Sequence, residues 1–206
     1  MRRLILAVLA CAWPGLAAAQ SAGEDQAAVE KLQPGESVQL GDVRFTMHRK
    51  LAGTRGPDGW YAARSTGGGF TVRLPIPYND FSTATPAVDG AMIASDAVGG
   101  SSAESARFLA NCTRRSDRKV PSGWPATVAD GIDVKEGTAQ RRPIQRAGFE
   151  GVELRVRSAT RGVFLARFLA GHGRMCQISV EYPLAADGDL ADTAQAFLDS
   201  FTLAEE

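Results

Sequence analysis

Downstream of residue 19 the chain carries two cysteines, Cys112 and Cys176, and two histidines, His48 and His172. An even cysteine pair reads as a disulfide if the compartment is oxidising. The alternative is two buried thiols behaving as small hydrophobes. His172-Gly173-Arg174-Met175-Cys176 has a spacing used in metal sites, but it stands alone at a hairpin tip and zinc needs three or four protein ligands, so neither metal nor cofactor is expected. Ser101 and Ser102 lie among small residues without the Gly-x-Ser-x-Gly elbow that exposes a nucleophile. The two cysteines lack the Cys-x-x-Cys spacing of a redox catalyst. His48 falls on the polar phase of a strand, which suggests a surface role, and the carboxylates fall mostly at turns and on polar faces, where solvation accounts for them. No catalytic residue is assigned.

Two further clusters could hold an anion. Gly67-Gly68-Gly69 lacks the Gly-Lys-Ser/Thr ending of a phosphate cradle and enters a strand rather than a helix, so it reads as a tight turn. Arg114, Arg115, Arg118 and Lys119 surround a single Asp117. They read either as an anion or acidic-partner patch or as a solvated loop after a strand.

The compartment is written at the N-terminus. Met1-Arg2-Arg3 is followed by an apolar run from Leu4, broken at Pro14-Gly15 and ending in the small residues Ala17-Ala18-Ala19. That is the pattern of a secretory signal over residues 1–19, too short to span roughly 30 Å of hydrocarbon. Val8-Leu9-Ala10-Cys11 offers the alternative of a lipoprotein acylated at Cys11. The mature chain then has 21 basic against 23 acidic residues, too balanced for nucleic-acid binding through backbone charge, and no second run of transmembrane length. A periplasmic or secreted protein is expected.

The elements that must position these residues follow from periodicity. Residues 20–36 are polar and read as a flexible lead; residues 37–206 read as a single α+β domain. Ser37 to Leu40 and Val43 to Met47 flank Gly41-Asp42 as a hairpin. Short strands are expected at Trp60 to Ala63, Phe70 to Leu74 and Met92 to Ser95, with an extended exit at Pro75 to Tyr78 and a turn at Gly99 to Ser102. Phe108, Ala110 and Cys112 alternate as a strand, with a helix from Ala103 to Thr113 as the competing reading. Thr127 to Glu136 reads as helical, with Val128, Ile132 and Val134 inward. Gly151 to Ser158, Gly162 to Ala170 and Arg174 to Tyr182 form an antiparallel meander that turns at Gly171-His172-Gly173. Asp187 and Asp189 offer N-cap carboxylates to a helix whose Leu190, Ala194, Phe197, Leu198 and Phe201 make one apolar stripe.

Four segments together resemble a known pattern: Phe70-Thr71-Val72-Arg73-Leu74-Pro75, the strand from Val163 to Leu169, the strand from Arg174 to Val180, and Phe197-Leu198-Asp199-Ser200-Phe201 before a terminal strand. Over Trp60 to Leu203 the chain resembles PsbP-like proteins. The resemblance implies an antiparallel sheet of about six to seven strands with helices on both faces, an α/β/α sandwich. That group includes photosystem II extrinsic subunits, a Ran-binding nuclear protein and many exported bacterial proteins, and no catalytic motif carries over from it.

Two functional readings follow. The first is a non-enzymatic exported domain that binds or stabilises a partner protein in the cell envelope. The second is an envelope hydrolase or small-ligand binder with a pocket between sheet and helix. A flat apolar patch favours the first; a cleft with convergent polar groups favours the second. Protein recovered from the envelope is expected to have an intact mass that begins at Gln20. An acylated Cys11 would assign a lipoprotein instead, and a soluble cytoplasmic product retaining Met1 would exclude both.

Overall fold

A computed structural model describes residues 21–103, 105–132, 134, 136–146 and 148–203. The expected export signal, residues 1–19, lies outside the described residues. Among the described residues twelve strands and three α-helices follow one another: α1 (Ser21–Lys31), β1 (Ser37–Leu40), β2 (Val43–Ala52), β3 (Tyr61–Arg64), β4 (Phe70–Leu74), β5 (Tyr78–Pro86), β6 (Met92–Ser101), β7 (Arg107–Arg115), α2 (Trp124–Asp130), β8 (Gly137–Arg146), β9 (Phe149–Ser158), β10 (Gly162–Gly171), β11 (Arg174–Tyr182), α3 (Asp187–Asp199) and β12 (Thr202–Leu203). Nine strands make one antiparallel sheet in the order β1-β2-β5-β6-β7-β11-β10-β9-β8, and three make a second, β12-β4-β3. Among the described residues no helix is long and apolar enough to cross a membrane.

The sheet is buried on both faces. On one, Phe108, Ala110 and Cys112 of β7, Cys176, Ile178 and Val180 of β11, and Val163, Leu165 and Leu169 of β10 pack under α3 and the small sheet. The apolar stripe expected of α3 does this work: Ala194, Phe197 and Leu198 are fully buried, and Phe197 meets Phe108 edge to face at 5.3 Å. Phe201, just beyond the helix, reaches Phe70 of β4 at 5.5 Å. On the opposite face α1 covers Phe45, Met47, Phe81, Ala97 and Leu109, while α2 covers Leu154, Val156, Phe164, Ala166 and Phe168. Helices therefore lie on both faces, as expected, but the strand count exceeds the six to seven of the sequence reading.

Two segments add strands, and a third lengthens an expected one. Tyr78–Pro86 is a central strand rather than only an extended exit. Gly99 and Gly100 lie inside β6 rather than in a turn: a methyl group at Gly99 would come within 2.5 Å of the Phe108 carbonyl, and one at Gly100 within 2.8 Å of the Pro77 carbonyl. Glycine there permits close backbone approach. β8 adds an edge strand, and it carries Pro143, a residue that edge positions tolerate because one side of the ladder is unpaired.

Other expectations shift. The competing helix at Ala103 to Thr113 is absent, because Arg107–Arg115 is strand β7. α2 begins earlier than Thr127, with Pro125 in its first turn, where a missing N–H costs nothing, and stops at Gly131. Within the segment read as a flexible lead, α1 forms and buries Val29, with Leu32 just beyond it. Asp187 is not an N-cap, that position being Ala186. Its carboxylate instead accepts hydrogen bonds from Tyr182 Oη at 2.8 Å, from Arg155 at 3.3 Å and from Arg157. Arg167, in the apolar phase of β10, is buried and engaged through each of its three nitrogens: it donates to Glu153 at 2.8 Å, to the Leu198 carbonyl at 2.9 Å and to Asp199 at 2.7 Å. It thus ties the C-terminal turn of α3 to the sheet, the helix end where a cation is favourable.

Cys112 of β7 and Cys176 of β11 stand directly opposite each other in register and form a disulfide, with Cα atoms 4.1 Å apart. The link spans 64 residues, for which the chain-entropy model gives roughly 4 kcal/mol of stabilisation. The double Cys→Ser protein is therefore expected to melt about 8–16 °C below the wild type. Reductant should lower the wild type by a similar amount; two titratable thiols in unfolded, never-reduced protein would refute this.

Candidate functional site

The four residues of the basic cluster find different surroundings. Residues 114 and 115 belong to β7, so their side chains leave opposite faces of the sheet. Arg114 pairs with Asp96 at 3.2 Å and donates to the Gly67 carbonyl at 2.8 Å. Arg115 is clamped between Asp89 and Asp117, at 2.5 and 3.0 Å, and those contacts hold both carboxyls below the usual carboxylate range. Lys119 lies 3.6 Å from Asp117. Among the described residues Arg118 alone of the four makes no ion pair, and it faces a cleft.

That cleft encloses about 520 Å³ on the face that carries α1 and α2. One wall is the segment leading into α2, with Val120, Pro121, Ser122 and Gly123; the floor is Glu150 and Val152 of β9 with Ala170 of β10; the β10–β11 turn, Gly171-His172-Gly173, closes one end. Glycine permits the walls to meet closely: a methyl group at Gly173 would lie 3.2 Å from Arg118 Cβ, and one at Gly148 2.6 Å from His172 Nε2. Arg118 and His172 both hold left-handed backbone, with φ of 57° and 49°. Non-glycine residues rarely sit there unless their surroundings fix them, and such positions concentrate at functional sites. The His172 ring rests against Phe149 with centroids 5.2 Å apart. The volume falls in the range of small-ligand sites, and the lining is mostly small and apolar with four polar side chains, Arg118, Ser122, Glu150 and His172.

The remaining candidates lie elsewhere. Cys176 is joined to Cys112, so the His172-to-Cys176 spacing supplies no free thiolate to a metal. His48, read as a surface residue, is half-buried and lies 2.9 Å from Ser82 Oγ through Nε2. Nearby, the glycine turn between β3 and β4 is strapped onto the sheet. Asp80, fully buried, accepts from the Thr66 backbone N–H at 3.2 Å and from its hydroxyl, with Arg49 3.5 Å away. Arg174 donates to the Gly68 carbonyl at 2.9 Å. Its carbonyls thus face arginines, as in the tight turn expected. Gly67 lies on Asp96, whose carboxyl is pushed above its ordinary value by burial, with Arg114 pulling it back.

No protein-family model matches the sequence, and no curated protein matches it. The solved structures similar to it include these two. One is cyanobacterial PsbP (CyanoP) from a Synechocystis species, 12% identical, covering 74% of this chain and 96% of that one with a TM-score of 0.39. The other is LpqN of Mycobacterium tuberculosis, described as involved in cell envelope biogenesis, 13% identical, covering 82% and 90% with a TM-score of 0.37. The first bears the name of the group that the sequence resembles.

The strapped turn makes a specific prediction. A methyl group on Gly67 would overlap Asp96 Oδ1, so Gly67→Ala must displace a buried, paired carboxylate. It is expected to lower stability by about 1–3 kcal/mol, seen as a lower urea midpoint. A midpoint equal to wild type would show that the turn does not rest on Asp96.

Proposed function

We propose that this chain is an exported, non-enzymatic domain of the cell envelope that binds a ligand in the cleft beside α2. The observation that carries the reading is Arg118: it is the one member of the basic cluster left without an ion pair among the described residues, and it lines the cleft. An unneutralised guanidinium at a water-accessible recess of small-ligand size is a recognition group with nothing in the fold to occupy it. Export rests on the signal pattern of residues 1–19, with the Cys112–Cys176 disulfide as support, since such bonds persist in oxidising compartments.

The cleft favours a ligand over a protein held on a flat apolar face. The large exposed apolar side chains Leu51, Val88, Met92 and Leu184 are spread over the end of β2, the β5–β6 tip and the turn before α3. They do not make the contiguous patch that marks a protein interface.

Amide hydrogen exchange tests the reading. The low-molecular-mass fraction of an envelope extract is expected to protect residues 120–126, 150–152 and 170–173, and Ser122→Trp, which fills the recess, should abolish that protection. Protection arising only from the protein fraction, or mapping outside the cleft, would overturn the proposal in favour of a protein partner.

A further inference from the structure

Resting on the assignment of the cleft as the ligand site, we infer that its ligand is a short peptide with free termini and small side chains, its carboxylate on Arg118 and its ammonium on Glu150. Three observations converge on this chemistry.

The first is charge. Arg118 and Glu150 both line the cleft, and among the described residues neither is in an ion pair. A ligand carrying both signs can answer both, which a simple anion or cation does not.

The second is spacing. Arg118 abuts Gly173, at the start of β11, whereas Glu150 lies on β9, with β10 between them. Two strand spacings separate the backbone segments that carry them by roughly 10 Å. An extended chain advances about 3.3–3.6 Å per residue, so three residues span the interval.

The third is the lining between the charges. Val120, Ala126, Val152 and Ala170 are small and apolar, and Gly123, Gly151, Gly171 and Gly173 bring main chain to the surface. Such a trough lets an extended peptide with small side chains lie close against its apolar floor. His172, at the closed end, can donate or accept a hydrogen bond to a peptide group.

Tri-alanine with free termini is the probe, titrated calorimetrically into the oxidised, mature protein. It is expected to bind, and its N-acetylated and C-amidated forms to bind roughly tenfold or more weakly, since each loses one charge-assisted contact. In Arg118→Gln, amidation should no longer matter while acetylation still does; in Glu150→Gln the pattern should reverse. Both residues are exposed, so the variants should melt with the wild type. Absence of binding at millimolar peptide, equal binding of the blocked forms, or variants that respond to the wrong block would overturn the inference. If the extract protects the cleft but tri-alanine does not bind, the peptide assignment falls and the ligand-binding reading stands. If neither occurs, both fall.

Discussion

The pairing of β7 with β11 is the constraint on which the structure depends. On either side of it the nine-stranded sheet is built largely from local hairpins: β5, β6 and β7 run consecutively, and so do β8, β9, β10 and β11. Each half could find its own register from turns and alternation. The seam between them joins residues about sixty positions apart, and closing so long a loop costs entropy that local pairing does not. The disulfide lies across this seam. A covalent link here removes conformational freedom from the unfolded chain at the step where the fold has most to lose.

The seam also sets the core. Phe108, Ala110 and Cys112 on one side and Cys176, Ile178 and Val180 on the other present one continuous apolar strip, and α3 lies on it. The helix brings Phe201 and β12 to β4, so the small sheet is completed by the last described strand of the chain. Arg167 then fixes the helix end through Leu198 and Asp199. A buried arginine is costly unless each donor is used, and here it bonds to two carboxylates and a carbonyl.

What could be read from residues alone was whatever buries one face in regular alternation. β9, β10 and β11 lay open for that reason, as did the α3 stripe and the shared apolar phase of Cys112 and Cys176. β5 was hidden because Asp80 and Ser82 occupy its alternate positions, and those polar groups serve the strapped turn and His48 rather than a core. The glycines of β6 read as a turn because sequence cannot distinguish a glycine needed for positive φ from one needed for close approach. Among the described side chains α1 docks through Val29, with Leu32 just beyond the helix, a three-residue spacing that gives little signal in a polar segment. The basic cluster had a legible clue. Extending β7 from Cys112 to Arg115 sends the consecutive residues Arg114 and Arg115 to opposite faces, by strand alternation alone.

The cleft itself was not legible, because its parts come from three stretches of chain that only the sheet order brings together. Its geometry nevertheless traces back to the seam. Arg118 follows β7 by three residues, and Gly173 immediately precedes β11, so the separation of these two walls is set where those strands are clamped. Cys112 and Cys176 stand only a few residues back along each strand. The left-handed backbone of Arg118 and His172 is the local cost of turning both strands sharply at this point, and it persists because the ladder behind it is paired residue by residue. A site on a loop would ordinarily be loose. This one is framed by loops whose roots are covalently joined, which gives rigid placement to groups that remain open to solvent.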